Sequence, residues 1–162
     1  MDGQIILPVV VLALMNRMED LRSYLFAFAL SLAVTMLIAA FVPAKSAYAF
    51  TDPSTFHNVH FIGHTPLLHL QQLRTEGPLT IDAGSAGGLI SLPSFHAVVA
   101  VLTLSALRFQ KVIFYPLAIL CAGTLFSAVT EGGHYVIDVI VGALLAVAAH
   151  FAAHRMLKRG VA

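Results

Sequence analysis

The chain has 162 residues, of which 59% are apolar and only 10% carry a formal charge, and its net charge is +1. Soluble domains carry about 25% charged residues, so this composition excludes an ordinary soluble domain, a disordered tail and a nucleic-acid-binding protein with a basic face. The single cysteine, Cys121, excludes an intrachain disulfide and a site of several thiolates. A mean hydropathy of +0.88 instead predicts an integral membrane protein that consists of a single domain, residues 1–162.

Five apolar segments predict an all-α, polytopic transmembrane bundle of about five membrane helices. A spanning helix needs about 20 apolar residues, and nearly charge-free stretches of this kind are found at residues 23–44, 93–110, 112–130 and 135–153. The fifth segment, residues 3–16, is shorter. We interpret it as a tilted or partial span, or as the remainder of a helix that begins before this chain.

The basic residues orient these segments. If the segments cross the membrane in turn, seven of the nine lysines and arginines lie at the same side of the membrane, and only Lys45 and Arg74 lie at the other. The positive-inside rule therefore places the seven in the cytoplasm. The sequence Ala47-Tyr48-Ala49 is similar to a signal-peptide cleavage site, but the apolar run before it is longer than a signal core and more spans follow, which favours retention.

The outer connection, residues 45–92, is long for a structureless loop. Thr65-Pro66 supplies a cap and a first-turn proline, so a short helix over residues 66–75 is predicted at the outer surface. The connection contains four histidines: His57, His60, His64 and His69. Two interpretations of them stay open, namely metal binding and a pH-sensitive lid. At the opposite end, His150 and His154 are predicted to meet lipid headgroups.

Two polar clusters enter the membrane from the outer side. Residues 91–96 read Ser-Leu-Pro-Ser-Phe-His, and residues 132–138 read Gly-Gly-His-Tyr-Val-Ile-Asp. Both clusters stand where a span begins at the outer face, so His96 and His134 are predicted at one depth. An ionisable side chain costs several kcal/mol in hydrocarbon, which makes such residues functional candidates.

The first cluster suits anion binding and proton donation. Ser91 or Leu92 would cap a helix whose first turn contains Pro93, and the free amides of that turn, with the Ser94 hydroxyl, can bind an anion. One turn further in, His96 can give a proton to a departing oxygen.

The second cluster suits nucleophilic chemistry. His134 and Asp138 are four residues apart, which predicts one helix face. The carboxylate can then fix the imidazole tautomer and leave the other ring nitrogen as a nucleophile, while Gly132 and Gly133 allow a ligand to approach the backbone. Two alternatives stay open: interfacial histidines that help helices to pack, and a zinc site, which lacks an obvious third ligand.

The two clusters resemble the motifs of a known superfamily. Pro93-Ser94-Phe95-His96 resembles the central Pro-Ser-x-His motif of the type 2 phosphatidic acid phosphatase and vanadium haloperoxidase superfamily, and residues 133–139 resemble its third motif. The His-Tyr-x-x-Asp form is closest to the branch of inositol phosphorylceramide synthases, sphingomyelin synthases and many bacterial membrane phosphatases.

The resemblance implies phosphoryl transfer without a metal or another cofactor. His134 would attack phosphorus, Asp138 would orient His134, and His96 would protonate the leaving group. Ser94 and the amides around it would hold phosphate oxygens, next to Gly133.

The sequence departs from the superfamily at two places. The first motif, a lysine followed six residues later by Arg-Pro, is absent, and Ser127 and Ala128 stand where the third motif often has Ser-Arg. Two cations are therefore missing, although the charge on a transferring phosphoryl group must be stabilised. Arg74 is the predicted substitute, with Lys45 second.

The sequence thus predicts a membrane lipid phosphatase, a phosphoric monoester hydrolase, in a single phosphatase-like domain. It would hydrolyse a lipid phosphate or diphosphate through a phosphohistidine, at the outer face of a bacterial inner membrane. Its partners would be the lipid substrate and membrane lipids, with no nucleic acid. The alternatives are a phospholipid headgroup transferase of the inositol phosphorylceramide synthase type and a catalytically silent protein that binds lipid phosphate.

Overall fold

The computed structural model describes residues 2–42, 44, 91–130 and 133–159. These residues form five α-helices and no strand: α1 (Asp2–Leu14), α2 (Met18–Phe41), α3 (Phe95–Leu107), α4 (Lys111–Thr130) and α5 (Val136–Arg159). The prediction of an all-α membrane bundle is confirmed. The predicted outer helix at residues 66–75, the four histidines near it, and Lys45, Arg74 and Gly132 lie outside the described residues.

The helices fall into two length classes. Three are long and apolar enough to cross a membrane: α2, α4 and the Val136–Leu157 part of α5. The other two, α1 and α3, have 13 residues each, or about 20 Å, which is less than the ~30 Å hydrocarbon core. The chain is therefore a membrane protein in which two short helices are packed among three spans.

Two tight turns meet at one end of the bundle. Asn16, with φ 55°, reverses the chain between α1 and α2, and asparagine is one of the few residues that tolerate this left-handed conformation. The Arg17 guanidinium lies 3.8 Å from the centre of the Phe109 ring, in the turn between α3 and α4. Both turns carry basic residues, so the described cations gather at this end, as the charge pattern predicts.

The short helix α3 occupies the centre of the bundle. It contacts α1, α2, α4 and α5, and its buried positions run all round the helix, from Ala97 to Leu107. By contrast, α4 contacts α3 along one side and leaves large apolar side chains exposed, among them Val112, Ile119 and Phe126. That exposure suits contact with lipid tails.

Small residues allow α5 to approach its neighbours closely. Its buried face consists of Asp138, Gly142, Ala146, Ala149 and Ala153, at the spacing of one helical stripe. Such stripes bring backbones together in membrane bundles. A Cβ at Gly142 would collide with the Ser94 carbonyl oxygen and lie 3.1 Å from the Ala97 Cβ, so Gly142 lets the start of α3 pack directly on α5.

Candidate active site

The start of α3 lies against α5. Ser94 is the N-cap, with an extended backbone and no side-chain cap hydrogen bond, and its amide donates to the Asp138 carbonyl oxygen at 3.0 Å. The predicted cap at Ser91 or Leu92, with Pro93 in the first turn, is wrong by two to three residues. His96 is therefore the second residue of the helix rather than one turn in, and it lies beside the first-turn amides, which have no partner within a helix.

The start of α5 corrects the expected role of Asp138. The helix begins at Val136, so His134 precedes it and the two side chains do not share a helix face. The Asp138 Oδ2 atom accepts from the Tyr135 amide at 2.8 Å and lies 3.9 Å from His134 Nδ1, beyond hydrogen-bond distance. Asp138 thus makes one half of a capping box, in which the third residue of a helix satisfies the amide of the cap residue.

A main-chain oxygen orients His134 instead. Its Nδ1 atom lies 2.9 Å from the Ser91 carbonyl oxygen. A carbonyl only accepts, so Nδ1 must carry the proton, and Nε2 then keeps its lone pair. This is the tautomer that nucleophilic attack through Nε2 needs.

The two imidazoles meet directly. His134 Nε2 lies 3.3 Å from His96 Nδ1, and the ring centroids are 5.4 Å apart with an interplanar angle of 68°. Because Nε2 of His134 has the lone pair, His96 Nδ1 is the donor in this contact. Histidines separated by 38 residues in the sequence therefore share one hydrogen bond at the entrance of two helices.

Burial sets the charge state of His134. His134 is 7% exposed, Asp138 3% and Ser94 0%. Burial lowers the pKa of the His134 imidazole below its ordinary value, and the Ser91 hydrogen bond and the Asp138 charge oppose this shift without reversing it. His134 is thus held in its neutral, nucleophilic form.

The segment before His134 returns to the end of α4. The His134 amide donates to the Ala128 carbonyl oxygen at 3.0 Å, and a Cβ at Gly133 would lie 3.3 Å from that oxygen. Gly133 therefore permits a tight contact, and position 128 lies next to the histidine pair. A methyl group stands there instead of the arginine that the resemblance implies.

The described arginines lie away from the histidine pair. Lys45 and Arg74 lie outside the described residues. The arginines Arg17, Arg22, Arg108 and Arg155 adjoin the helix ends at the opposite side of the bundle. In the described ranges, no group of three or more His, Cys, Asp or Glu side chains could hold a metal ion.

Sequence reasoning missed two contributors. The Ser91 carbonyl belongs to the main chain and leaves no mark in a side-chain pattern. Gly142 had a usable signal, because small residues recur at 142, 146, 149 and 153 on the face that also carries Asp138.

Together, these features define a helical membrane protein with a hydrogen-bonded pair of histidines, one buried and one partly buried, at one end of the bundle. A sequence profile of the PAP2 superfamily matches residues 1–152, and the chain belongs to this superfamily. Membership supports a phosphatase-type function on lipid phosphates at the general level. No curated protein and no solved structure matches the chain, and the resemblance to the synthase branch stays a prediction.

Proposed function

We propose that this protein is a lipid phosphatase that hydrolyses a lipid phosphate monoester or a diphosphate through a phosphohistidine at His134. The observation that carries the proposal is the hydrogen-bond chain from the Ser91 carbonyl through His134 to His96. It leaves the His134 Nε2 lone pair facing the His96 imidazole, a group that can supply a proton.

The first step forms one bond and breaks another. For a monoester, Nε2 of His134 attacks phosphorus, the bond between phosphorus and the lipid oxygen breaks, and His96 protonates the leaving alkoxide as an imidazolium. Burial and the neighbouring His134 lower the pKa of His96 in the resting site, and the negative charge of a bound phosphate would oppose that shift. In the second step His96 takes a proton from water, the resulting hydroxide oxygen bonds to phosphorus, and the nitrogen–phosphorus bond breaks. For a monoester the products are the lipid alcohol and inorganic phosphate; for a diphosphate the bridging P–O bond breaks and the products are the lipid monophosphate and inorganic phosphate. In both cases the histidines return to their starting states.

Substrate must separate the two rings. Reacting atoms need about 3–3.5 Å between them before attack, and the phosphoryl group and its leaving oxygen must fit between the two nitrogens. The 3.3 Å contact between the rings is therefore the resting arrangement, in which the lone pair of His134 Nε2 accepts a hydrogen bond from His96. His96 is only partly buried, so a rotation of its side chain can open this contact.

The first turn of α3 is the proposed phosphate cradle. Free amides at a helix start attract anions, and the Ser94 hydroxyl is fully buried without a hydrogen-bond partner in the described structure. A buried unsatisfied hydroxyl costs about 1–3 kcal/mol. A phosphate oxygen that accepted from Ser94 would remove this cost, which favours binding, and Gly133 would leave room for the phosphate beside His134.

A cation must complete this cradle, and Arg74 is proposed for that role, with Lys45 as the second candidate. Both belong to the outer side in the charge pattern, whereas the described arginines adjoin the opposite helix ends. Unchanged turnover after Arg74→Ala would refute this assignment.

A lipid substrate would arrive sideways from the bilayer. Tyr135, Val136 and Ile137 follow His134 directly and are 40%, 60% and 58% exposed. They form an apolar surface beside the nucleophile, against which the acyl chain of a lipid can lie while its phosphate reaches the rings. The proposed setting is the outer face of a bacterial inner membrane, with the seven basic residues of the sequence in the cytoplasm.

The proposal is tested with purified protein in detergent and a lipid phosphate monoester such as phosphatidic acid. We expect release of inorganic phosphate without added metal, no loss of rate with EDTA, and inhibition by vanadate, which resembles the transferring phosphoryl group. A phosphohistidine should be trapped by rapid acid quench and should be absent from His134→Ala.

Three other outcomes would contradict the proposal. Loss of all activity with EDTA would indicate a metal-dependent reaction. Exchange of a headgroup between two lipids without phosphate release would indicate the transferase. If no turnover occurs and His134→Ala only lowers the thermal stability, the protein is a catalytically silent lipid-phosphate-binding protein.

A further inference from the structure

A second polar site lies at the other end of the bundle, between α2, α3 and α5. We call it the basic groove, and define it by six lining residues: Asp20, Ser23, Tyr24, Arg108, His150 and His154. The groove is shallow and opens to solvent, so a ligand larger than a water molecule would lie at its mouth. Arg108 caps the C-terminus of α3, whose N-terminus carries His96, so the length of a 13-residue helix separates the groove from the histidine pair.

The charges in the groove do not cancel. Asp20 is paired with Arg17, at 2.6 Å between Oδ2 and Nε, so its charge is already compensated. Arg108 donates from Nη1 to the Ser105 carbonyl oxygen at 2.7 Å and forms no ion pair with any residue that the structure describes. Its remaining guanidinium donors are available, which leaves a net positive charge at the mouth of the groove.

Ser23 gives a second indication, independent of charge, that the groove binds a ligand. It is only 4% exposed, it lines the groove, and its hydroxyl has no hydrogen-bond partner in the described part of the chain. Tyr24 differs, because its hydroxyl already donates to the Ile5 carbonyl oxygen at 3.2 Å. Native proteins rarely leave a buried hydroxyl unsatisfied, so a bound acceptor at this position would complete the structure.

The imidazoles contribute further donors. The ring centroids of His150 and His154 are 4.8 Å apart, and neither ring has a hydrogen bond to another described residue. Donors thus reach the groove from three helices: a hydroxyl from α2, a guanidinium from α3 and imidazoles from α5. This arrangement suits a tetrahedral anion, since each donor can meet a different oxygen. A metal ion does not fit, because the described residues provide no group of three ligands.

We propose that the basic groove binds a phosphate group, from an anionic lipid headgroup or from free phosphate, at the membrane face opposite to the histidine pair. Basic pockets between membrane helices on the cytoplasmic side are known to hold anionic headgroups. This proposal does not depend on the phosphatase activity.

The test measures binding rather than turnover. Detergent-purified protein is examined by native mass spectrometry with phosphatidylglycerol or phosphatidylcholine, and by equilibrium dialysis with radiolabelled inorganic phosphate. We expect phosphatidylglycerol to be retained over phosphatidylcholine, and Arg108→Gln and His150→Ala each to weaken retention at least about tenfold. Ser23→Ala, which removes one neutral donor, should weaken it a few-fold.

Arg155→Gln is the matched control, because Arg155 is an exposed arginine on α5 that does not line the groove. It should change retention less than about twofold. Binding should persist in His134→Ala, which alters the other site. Inorganic phosphate that binds with the same dependence on Arg108 supports free phosphate as a ligand, and binding of the lipid alone supports a headgroup.

Three results would overturn the proposal. One is equal retention of phosphatidylglycerol by Arg108→Gln and the unmodified protein. Another is an equal loss in Arg155→Gln, which would show only general charge attraction. The third is loss of binding in His134→Ala, which would place the phosphate at the histidine pair.

Discussion

The described part of the chain contains two pairs of neighbouring imidazoles, at opposite ends of the bundle, and the pairs differ in how they are held. The ring centroids are 5.4 Å apart for His96 and His134 and 4.8 Å apart for His150 and His154. The first pair joins two helix starts. The second pair lies one turn apart on a single helix, α5.

Ring distance therefore does not separate the pairs, but hydrogen bonding does. The Ser91 carbonyl fixes the tautomer of His134 and aims its lone pair at His96. His150 and His154 have no such acceptor among the described residues, so their protons are free to redistribute. A carbonyl that accepts from one ring fixes its tautomer, and this suits the first pair to proton and phosphoryl transfer. The second pair has no fixed tautomer, and this suits it to the binding of an anion.

The largest expected effect is at the nucleophile. His134→Ala removes the attacking atom, so turnover of a lipid phosphate should fall by about four orders of magnitude. Phosphate release in detergent measures it, and Arg155→Ala is the control that should stay near the normal rate. Residual turnover above about one hundredth would show that another group attacks phosphorus.

The next effect is at the proposed acid. His96→Ala should lower turnover by about 10²–10⁴-fold, the usual contribution of a positioned acid. The loss should shrink at least tenfold for a substrate whose leaving group needs no proton, such as p-nitrophenyl phosphate. An equal loss on both substrates would mean that His96 only packs against His134.

A smaller effect is expected from the contact that holds α3 against α5. Gly142→Ala introduces a methyl group against the Ser94 backbone, which should lower the free energy of unfolding by about 1–3 kcal/mol. A displacement of ~1 Å at a site can cost up to ~100-fold in rate, so turnover should fall about tenfold or more.

Gly123→Ala is the matched variant, because no atom lies within 4 Å of the added Cβ. Here the free energy of unfolding should rise by about 0.5–1 kcal/mol, since alanine favours the helix. Thermal denaturation in detergent compares the two variants. Equal stability would contradict the proposed contact.

Asp138 should show a still smaller effect that depends on the replacement. An asparagine oxygen can still accept from the Tyr135 amide, so Asp138→Asn should retain turnover within about tenfold, whereas Asp138→Ala loses the cap and about 0.5–2 kcal/mol of stability. If both variants lose turnover to the same large extent, the carboxylate charge acts on His134 directly.

The smallest effect is a displacement of the pH profile. Neutral His134 is the nucleophile, and burial lowers its pKa. The acid limb of kcat/KM should therefore have its midpoint below about 6.5, the ordinary value for histidine, so activity persists into mildly acidic solution. A midpoint above that value would contradict a buried, neutral nucleophile.

Hydropathy predicted the spans well but not where their helices end. The segment 112–130 became Lys111–Thr130, whereas 23–44 became Met18–Phe41 and 135–153 became Val136–Arg159. Hydropathy marks the part of a helix inside the hydrocarbon, and helices continue past it into charged residues such as Glu19 and Arg155. The short helix α3 was expected as a span because apolar composition alone does not reveal that a helix is enclosed by others.

The site was predictable in its side chains and not in its main chain. Successive helices alternate in direction, so α3 and α5 begin at the same end of the bundle. This alternation was enough to bring His96 and His134 to one depth. The spacing of His134 and Asp138 does not determine where α5 begins. The helix starts after His134, and the Asp138 carboxylate therefore accepts a hydrogen bond from the Tyr135 amide. The acceptor for His134 is a carbonyl of Ser91, and every residue has a carbonyl, so only the folded chain identifies it.

The central position of α3 has a consequence for the response to the bilayer. Four other helices contact α3, so the helix that carries His96 presents little surface to the surrounding lipid. Changes in acyl-chain length or fluidity must pass through α1, α2, α4 or α5 before they reach His96. The position of the proposed acid is thereby shielded from the composition of the membrane, whereas His134 lies next to the exposed Tyr135 and Val136.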